Sequence, residues 1–213
     1  MSEYCFISTQ SILHNIIDTA SGISWLQWVS FISGIAYVVL AAQENKWCWV
    51  WGNISCAILA WLSYHDFLLY ADALLQLIYV AMGFWGLYQW TSGTTHTAKQ
   101  IASWHWTRHL LVIAIGIFIS YPLGFALQHY TIAAATYLDA FTMVFSLVAT
   151  WLTLNKILEN WIYWMVINLI YIYLYTIRDG YLFAILSLIY LIISVKGYYD
   201  WKRTFLTKKS ISH

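Results

Sequence analysis

The sequence predicts an all-α integral membrane protein, and three observations support this fold class. The chain of 213 residues is 62% hydrophobic and only 9% charged, whereas soluble globular domains carry about 25% charged residues. Aromatic residues make up 19% of the chain. The apolar segments are continuous rather than alternating, which is typical of membrane helices and not of a membrane β-barrel.

Seven segments are long and apolar enough to cross a bilayer, for which a helix needs about 20 residues. The predicted spans cover residues 23–42, 47–65, 69–90, 107–126, 137–155, 159–177 and 180–200. Trp47, Trp90 and Trp201 stand at span ends, where tryptophan is enriched in membrane proteins. The only proline, Pro122, is expected to bend or end the fourth span.

The two ends of the chain lie outside these spans. Residues 1–22 have no basic n-region, and Asp18 interrupts their apolar character, so we do not predict a cleavable signal peptide. We expect this N-terminal leader to lie along the membrane surface as a helix. Residues 23–201 would form the transporter-like domain, and residues 202–213 a cytoplasmic tail.

The distribution of basic residues predicts the orientation in the membrane. Nine of the ten Lys and Arg residues fall on the side that holds the C-terminus, and only Arg178 falls on the other side. Cytoplasmic loops carry the excess of Lys and Arg. We therefore expect the N-terminus outside and the C-terminus in the cytoplasm. A formal net charge of +1 gives no reason to expect nucleic acid as a partner.

The chain contains a weak internal repeat. The segment ENKWCWVWGN (44–53) matches ENWIYWMVIN (159–168) at an offset of 115 residues. Further on, YVAMGFWGLYQW (79–90) matches YLIISVKGYYDW (190–201) at an offset of 111 residues. The matches are sparse, but they keep their order and include intramembrane Asn residues.

This repeat predicts a 3+1+3 arrangement of spans. Repeat one would cover residues 23–90 and repeat two residues 137–201, with the linker helix 107–126 between them. Counterpart helices then run in the same direction, so an axis along the membrane normal would relate the two halves. Parallel repeats are typical of transporters that bind substrate at the repeat interface. A duplicated helix bundle without a pathway is the structural alternative.

Polar and aromatic side chains recur on one face of four predicted spans, although polar groups inside a membrane are costly and usually face the bundle interior. The candidate binding residues are Trp161, Trp164, Asn168, Asn53, Gln76, Tyr79, Asp139, Thr142 and Ser146. Amides and hydroxyls donate and accept hydrogen bonds, and aromatic rings stack on planar groups and attract cations. This set fits a flat, partly polar and positively charged small molecule better than a bare ion.

Each candidate residue also has a purely structural interpretation. Polar side chains often hydrogen-bond between membrane helices and hold them together, which applies to Asn53 and Asn168. Trp161 is also consistent with an interface anchor, and Asp139 with a solvated residue at the membrane surface. The joint pattern over four helices is what favours a binding pocket.

The sequence lacks the common signatures of enzymes and metal sites. Walker A, GxSxG and HExxH motifs are missing. His105 and His109 have a metal-compatible spacing, but they stand beside Arg108 at the cytoplasmic start of the fourth span, where an interfacial belt is the simpler interpretation. We therefore predict no catalytic residues, no metal and no cofactor. A membrane receptor or enzyme that binds a similar ligand without moving it is the alternative from another class.

Three segments resemble the Pnu (PnuC-type) family of bacterial vitamin transporters. They are YADALLQLIYVAMGFWGLYQW (70–90), LDAFTMVFSLVATWL (138–152) and ENWIYWMVIN (159–168), and the resemblance extends over about residues 10–203. The WxxW motif in the last segment is the most specific of these features. The resemblance implies facilitated diffusion through the bacterial inner membrane by a homotrimer, with a cytoplasmic kinase that traps the imported vitamin. It also implies substrate contacts at Trp164, Asn168, Asn53 and Gln76.

Two further segments bear on the substrate. ENKWCWVWGNIS (44–55) and YLDAF (137–141) look more like the thiamine-transporting PnuT branch than the nicotinamide riboside branch. Thiamine is therefore the expected substrate, and nicotinamide riboside is the alternative. Both vitamins contain an aromatic cationic ring, so the chemistry of the predicted pocket does not separate them.

Overall fold

The computed structural model of the chain describes residues 2–66, 70–92, 99–130 and 136–211, and these residues are nearly all helical. The helices are α1 Ser2–Gly22, α2 Trp25–Ala42, α3 Cys48–His65, α4 Tyr70–Thr91, α5 Trp106–Tyr130, α6 Thr136–Leu154, α7 Asn160–Ile177 and α8 Tyr181–Ile211. Helix α1 corresponds to the predicted leader. Helices α2 to α8 coincide with the seven predicted spans.

Four of these helices are long and apolar enough to cross a membrane, judged by length and composition. They lie within Trp25–Ala42, Trp106–His129, Thr136–Leu154 and Tyr181–Lys208. The chain is therefore a multi-pass membrane protein. The total of seven spans and the orientation of the chain stay predictions.

Two helices extend beyond their predicted ends. Helix α5 continues through Pro122 to Tyr130, because long membrane helices tolerate a proline. Helix α8 continues to Ile211, so most of the predicted tail 202–213 is helical rather than separate from the last span. An ion pair between Lys196 and Asp200, one turn apart at 2.5 Å, supports this continuation.

Helices α1 and α2 are separate because Ser24 begins a new helix. Its hydroxyl accepts a hydrogen bond from the backbone N–H of Gln27, and the Gln27 side chain accepts one from the backbone N–H of Ser24. This reciprocal capping box satisfies two N–H groups that the helix itself leaves unpaired.

The same turn joins α2 to α3 and α6 to α7. Glu44 and Lys156 hold equivalent positions with a left-handed backbone, at φ values of 54° and 53°. The N–H of the next residue bonds back to the helix in both turns, from Asn45 to Leu40 and from Ile157 to Leu152, at 2.9 Å each. Equivalent positions in this region are therefore 112 residues apart, whereas the sequence match gave 115.

An ion pair joins these two turns. Lys156 Nζ lies 3.1 Å from Glu44 Oε2, with side-chain exposures of only 12% and 22%. The same ammonium group stands over the Trp90 ring, 4.6 Å from its centroid. The pair therefore links repeat one to repeat two at one end of the bundle.

Two tryptophans also cross between the repeats. Trp90 Nε1 of α4 donates to the carbonyl of Leu154 at the end of α6, and Trp201 Nε1 of α8 donates to the carbonyl of Ala41 at the end of α2, both at 3.1 Å. Each repeat thus donates a hydrogen bond to a backbone carbonyl at the C-terminal end of a helix in the other repeat. The last carbonyls of a helix have no partner within the helix itself.

Ring packing shows the same equivalence. Trp49 lies edge-on to Trp90, and Trp161 lies edge-on to Trp201, with ring centroids 5.5 Å apart in both pairs. Trp49 packs against Gly86, and Trp161 packs against Gly197. Trp49 is therefore the structural counterpart of Trp161, and not of Trp164 as the sequence match implied. The alignment of the two repeats therefore follows the packing of a Trp ring against a glycine, and the matching Glu and Asn residues of the sequence repeat do not occupy equivalent positions.

We expect alanine at either glycine to destabilise the protein. A Cβ at position 197 would stand 2.7 Å from the Trp161 ring, and a Cβ at position 86 would meet the Trp49 ring in the same way. Overpacking of this kind costs about 1–3 kcal/mol. Thermal unfolding of the detergent-solubilised protein measures the effect for Gly86→Ala and Gly197→Ala. Gly22→Ala is the control, because nothing lies within 4 Å of its Cβ position. Equal unfolding temperatures for all three variants would contradict this packing.

Candidate functional site

Two adjoining cavities of about 290 Å³ each lie among the helices. We name them the repeat-two lobe and the repeat-one lobe, after the repeat that supplies most of each lining. The repeat-two lobe is lined by Gly34, Tyr37, Val38, Ala41, Thr153, Trp161, Trp164, Asn168, Tyr171, Tyr175, Phe183, Leu186, Ser187, Tyr190 and Ser194. The repeat-one lobe is lined by Gly34, Tyr37, Trp49, Gly52, Asn53, Ser55, Cys56, Leu59, Gln76, Tyr79, Gly83, Ser146, Thr150, Trp164, Tyr171 and Tyr190.

The two lobes share five lining residues, so they form one bilobed cavity between the repeats. The shared residues are Gly34, Tyr37, Trp164, Tyr171 and Tyr190. All but the glycine are aromatic. The wall common to both lobes is therefore a set of rings, which suits the flat face of a planar ligand.

Most of the sequence-predicted candidates line this cavity, although they divide between the lobes instead of enclosing one pocket. Trp161 and Asn168 line the repeat-two lobe, and Trp164 lines both lobes. The candidates in the repeat-one lobe are Asn53, Gln76, Tyr79 and Ser146.

Asp139 and Thr142 are not among the residues that line either lobe. Asp139 pairs with Arg178, whose guanidinium donates to both carboxylate oxygens at 2.6 and 3.2 Å. The Thr142 hydroxyl donates to the carbonyls of Leu138 and Asp139 in its own helix, at 3.0 and 2.9 Å, and the residue is 1% exposed. The polar groups of these two side chains are bonded to other protein groups, and a role for either in ligand binding stays a prediction.

Trp164 occupies the centre of the cavity. Its indole Nε1 donates to the Thr153 hydroxyl at 3.4 Å, and that hydroxyl donates to the Ala149 carbonyl at 2.9 Å. This chain of bonds fixes the ring of α7 against α6. Trp164 packs against the buried cluster of Phe145, Ala149 and Ile167, and it also lines both lobes.

Asn168 lies one turn further along α7 and is 4% exposed. Its Nδ2 donates to the Trp164 carbonyl at 2.8 Å, which is a bond within its own helix. Within the described part of the chain, no donor is bonded to its Oδ1. The carbonyl oxygen is therefore the part of this amide that is left for a ligand.

The amides of the repeat-one lobe are less committed. Neither Asn53 nor Gln76 makes a hydrogen bond to another described residue, and both are only partly buried. Asn53 Oδ1 lies directly against Gly83, so only a residue without a side chain leaves room for this amide. The Ser146 hydroxyl is buried beside the hydroxyls of Tyr79 and Tyr171.

Trp49 belongs to the site but was not among the candidates. It is 2% exposed, it lines the repeat-one lobe, and its Nε1 has no partner in the described part of the chain. Trp161 Nε1 is unpartnered in the same way in the other lobe. The sequence could have indicated Trp49 by its position, because it stands one helical turn before Asn53. Trp164 stands one turn before Asn168 in the same way.

The cavity has no charged lining. Among the residues that line the two lobes there is no Lys, Arg, His, Asp or Glu. A buried anion would have no cationic partner here, whereas a delocalised cation can be held by the faces of aromatic rings.

The charged groups near α5 and α7 have local partners instead. Glu159 accepts hydrogen bonds from Ser103 Oγ at 2.5 Å and the Trp104 N–H at 3.2 Å, and His109 Nε2 lies 3.6 Å from it. His105 faces the Thr107 hydroxyl at 3.0 Å. In the described residues, no group of three His, Cys, Asp or Glu side chains is placed to hold a metal ion.

The loop before α5 is tied to the same end of the bundle. Lys99 Nζ donates to Asn155 Oδ1 at 2.7 Å and to Gln89 Oε1. Partial burial of this ammonium group lowers the pKa of Lys99 below its usual value. Ala102 pairs with Ile157 as an isolated parallel bridge beside these contacts.

Comparison with known proteins identifies related transporters. The family model described as nicotinamide mononucleotide transporter matches residues 24–203. The nicotinamide riboside transporter PnuC of Escherichia coli (strain K12) is 27% identical, over 92% of this chain and 93% of the relative. The protein of the same name from Neisseria mucosa is 29% identical, over 84% of this chain and 73% of the relative.

A solved structure has a similar fold. The crystal structure of the vitamin B3 transporter PnuC aligns with a TM-score of 0.68 and 28% sequence identity. The alignment covers 91% of this chain and 89% of that chain. The two chains therefore share their overall fold.

We expect Asp139→Asn to leave ligand affinity unchanged, because Asp139 binds Arg178 and lies outside both lobes. Ion pairs with about a third of each side chain exposed contribute at most about 1 kcal/mol, so the unfolding temperature should fall only slightly. Equilibrium binding and thermal unfolding measure the two effects. Leu138→Ala, in the preceding position of α6, controls for general disturbance of the helix. A large loss of ligand affinity in Asp139→Asn, but not in Leu138→Ala, would show that the Asp139 carboxylate takes part in ligand binding.

Proposed function

This chain belongs to the nicotinamide mononucleotide transporter family, and we propose that it carries nicotinamide riboside across the membrane by facilitated diffusion. It is a membrane transporter and not an enzyme, since the relatives and the solved structure that it matches are transporters. The observation that carries the proposal is the uncharged, aromatic and amide-lined cavity between the repeats.

The chemistry of the cavity suits a cationic nucleoside. The pyridinium ring of nicotinamide riboside is flat and positively charged, and the rings of Trp164 and Tyr171 offer faces that attract such a cation. Its carboxamide and ribose hydroxyls match the amides of Asn53, Gln76 and Asn168. Cation, flat ring and hydroxyls are thus all accommodated without a charged side chain.

The same cavity disfavours a phosphorylated substrate, although the family name refers to the mononucleotide. A phosphate monoester carries about −1.5 to −2 charges at pH 7. Burial of that charge requires a cationic or strongly donating partner, and no Lys, Arg or His lines the described lobes. The nucleoside therefore fits better than the nucleotide.

The sequence led us to expect thiamine, and the comparisons favour the alternative. The relatives from Escherichia coli and Neisseria mucosa are named as nicotinamide riboside transporters. The two segments that pointed to the thiamine branch, at 44–55 and 137–141, are short, although the first of them contributes to the lining of the repeat-one lobe. The likeness to the nicotinamide riboside transporters extends over most of the chain. We therefore place nicotinamide riboside first and keep thiamine as the competitor in the tests.

The cellular context completes the proposal. We propose that the protein acts in the bacterial inner membrane as a homotrimer, with its N-terminus outside and its C-terminus in the cytoplasm. A cytoplasmic kinase would phosphorylate the imported nucleoside, and the charged product could no longer return through an uncharged cavity. Net uptake would then need no ion gradient and no ATP at the transporter itself.

Counterflow in liposomes tests the proposed activity. Purified protein is reconstituted, the vesicles are loaded with unlabelled nicotinamide riboside, and entry of the labelled nucleoside is followed without ATP or an ion gradient. We expect transient accumulation of label, which excess unlabelled nicotinamide riboside abolishes and an equal excess of nicotinamide mononucleotide does not. Vesicles loaded with thiamine are the matched comparison.

The outcomes separate the candidate functions. Accumulation of labelled thiamine in thiamine-loaded vesicles, without accumulation of labelled nucleoside in nucleoside-loaded vesicles, would establish the competitor substrate. Binding of the nucleoside to purified protein without any counterflow would indicate a receptor. Inhibition by the mononucleotide as strong as by the nucleoside would contradict the argument from the uncharged lining.

Changes at Trp164 test the cation–ring contact. Base stacking and cation–π attraction contribute about 1–3 kcal/mol at a desolvated site. Trp164→Phe keeps a smaller ring and should weaken binding, and Trp164→Leu has no ring face and should weaken it further, by about tenfold or more. The uncharged dihydro form of the nucleoside should lose less affinity in both variants. Equilibrium binding of both forms provides the measurement.

A tryptophan outside the cavity provides the control for this series. Trp85 of α4 is 57% exposed and does not line either lobe, so Trp85→Leu should leave affinity unchanged. If Trp164→Leu bound the cationic nucleoside as tightly as the unmodified protein, Trp164 would be a packing residue and the proposed ring contact would be wrong.

A further inference from the structure

The segment that leads into α5 lies at the end of the bundle where Glu44 pairs with Lys156, and we name its residues 99–104 the strap. The Ala102 N–H donates to the Lys156 carbonyl at 3.0 Å, and the Ala102 carbonyl accepts from the Leu158 N–H at 2.8 Å. The strap is therefore joined by backbone hydrogen bonds to the turn between α6 and α7, which belongs to repeat two.

Two further bonds fix the strap to repeat two. Ser103 Oγ and the Trp104 N–H both donate to the Glu159 carboxylate, at 2.5 and 3.2 Å. Glu159 immediately precedes α7. Because residues 102–104 are bonded to repeat two in this way, we expect them to move together with it.

The first residue of the strap also contacts the other repeat. Lys99 Nζ donates to Gln89 Oε1 near the end of α4 and, at 2.7 Å, to Asn155 Oδ1 just after α6. Hydrogen bonds from a charged donor are stronger than those between neutral groups. Movement of α4 away from α6 would break one of these two bonds.

Ile101 is the apolar part of the strap. It is 6% exposed and belongs to a buried cluster that both repeats supply. The other buried members are Ala41, Ala42, Cys48, Trp49, Leu154, Leu158, Trp161 and Trp201. Three of them, Ala41, Trp49 and Trp161, also line the cavity. Ile101 therefore packs into the layer that separates the cavity from this end of the bundle.

The opposite end of the bundle is held together differently. There, Phe31 of α2 packs edge-on against Phe183 of α8, with ring centroids 5.7 Å apart. The ion pair at that end, between Asp139 and Arg178, joins two helices of the same repeat. Among the described residues, the ion pair that crosses between the repeats is the one beside the strap.

We propose that the strap is a gate element, which closes the cavity at the end that holds Glu44 and Lys156. A path to this side then opens only when repeat one separates from Lys99 and Ile101. A transporter that works by alternating access must open each end in turn, so contacts that both repeats share at one end control access there. This role would apply to any substrate of the cavity and does not depend on nicotinamide riboside.

The accessibility of a thiol in the cavity tests this role. Cys56 lines the repeat-one lobe, and it is the only thiol of the chain once Cys5→Ser and Cys48→Ser are introduced. Right-side-out and inverted membrane vesicles that contain this protein are treated with a membrane-impermeant cationic thiol reagent, and the rate of Cys56 modification is measured. A parallel protein with Lys208→Cys and Cys56→Ser shows which vesicles expose the strap end.

Two variants change the strap, and one serves as the control. Lys99→Met removes the ammonium group but keeps a side chain of similar length, and Ile101→Ala shortens the apolar side chain. We expect each to raise the rate of Cys56 modification from the strap side by about fivefold or more and to leave the rate from the other side unchanged. Lys208→Met removes an exposed lysine of α8 at the same end and should not alter either rate.

Two results would overturn the proposal. An unchanged strap-side rate in both variants would show that the strap does not close this end of the cavity. Equal acceleration from both sides would show a general loosening of the bundle instead of a gate. Lys99→Met decides the question if Ile101→Ala does not fold, because the Lys99 side chain is only partly buried.

Discussion

The contact of an indole ring with a glycine sets how closely the last two helices of each repeat approach. Trp49 covers Gly86 and Trp161 covers Gly197, so a whole ring fits where two helices would otherwise touch. Small residues permit this approach in membranes, where packing rather than water exclusion holds helices together. Because both repeats use the same contact, their helices reach the central axis at matching positions.

The cavity is a consequence of this arrangement. Trp90 and Trp201 extend from the same helices and bond across to the opposite repeat at one end of the bundle. That end is closed by rings, carbonyl bonds and the pair between Glu44 and Lys156. Toward the middle of the bundle the helices have fewer such links, and the space between them becomes the two lobes.

The sequence predicted the positions of the helices and many of the residues that line the cavity, because hydropathy reports span positions directly and costly intramembrane polar residues mark an interior face. It did not predict which interior groups already have partners. Asp139 meets Arg178, 39 positions away, and the Thr142 hydroxyl turns back to its own helix. Trp49 was not chosen as a binding residue because the sequence does not show that its indole N–H is buried without a partner. Residue identity does not encode such pairings, which arise only when helices have packed.

The pair between Glu44 and Lys156 bears on the ancestry of the fold. The two residues hold the same place in the two repeats and face each other. If two identical half-length chains met as the two repeats do here, the residues at this position would carry the same charge. They would repel each other at a site with little exposure to solvent. An attraction at this point requires the two halves to differ, as they do in this chain, with an acid in one repeat and a base in the other. At this position the chain resembles a heterodimer, because its two halves are not interchangeable. A chain with two copies of either half would place two acids or two bases face to face, and the attraction between Glu44 and Lys156 would become a repulsion.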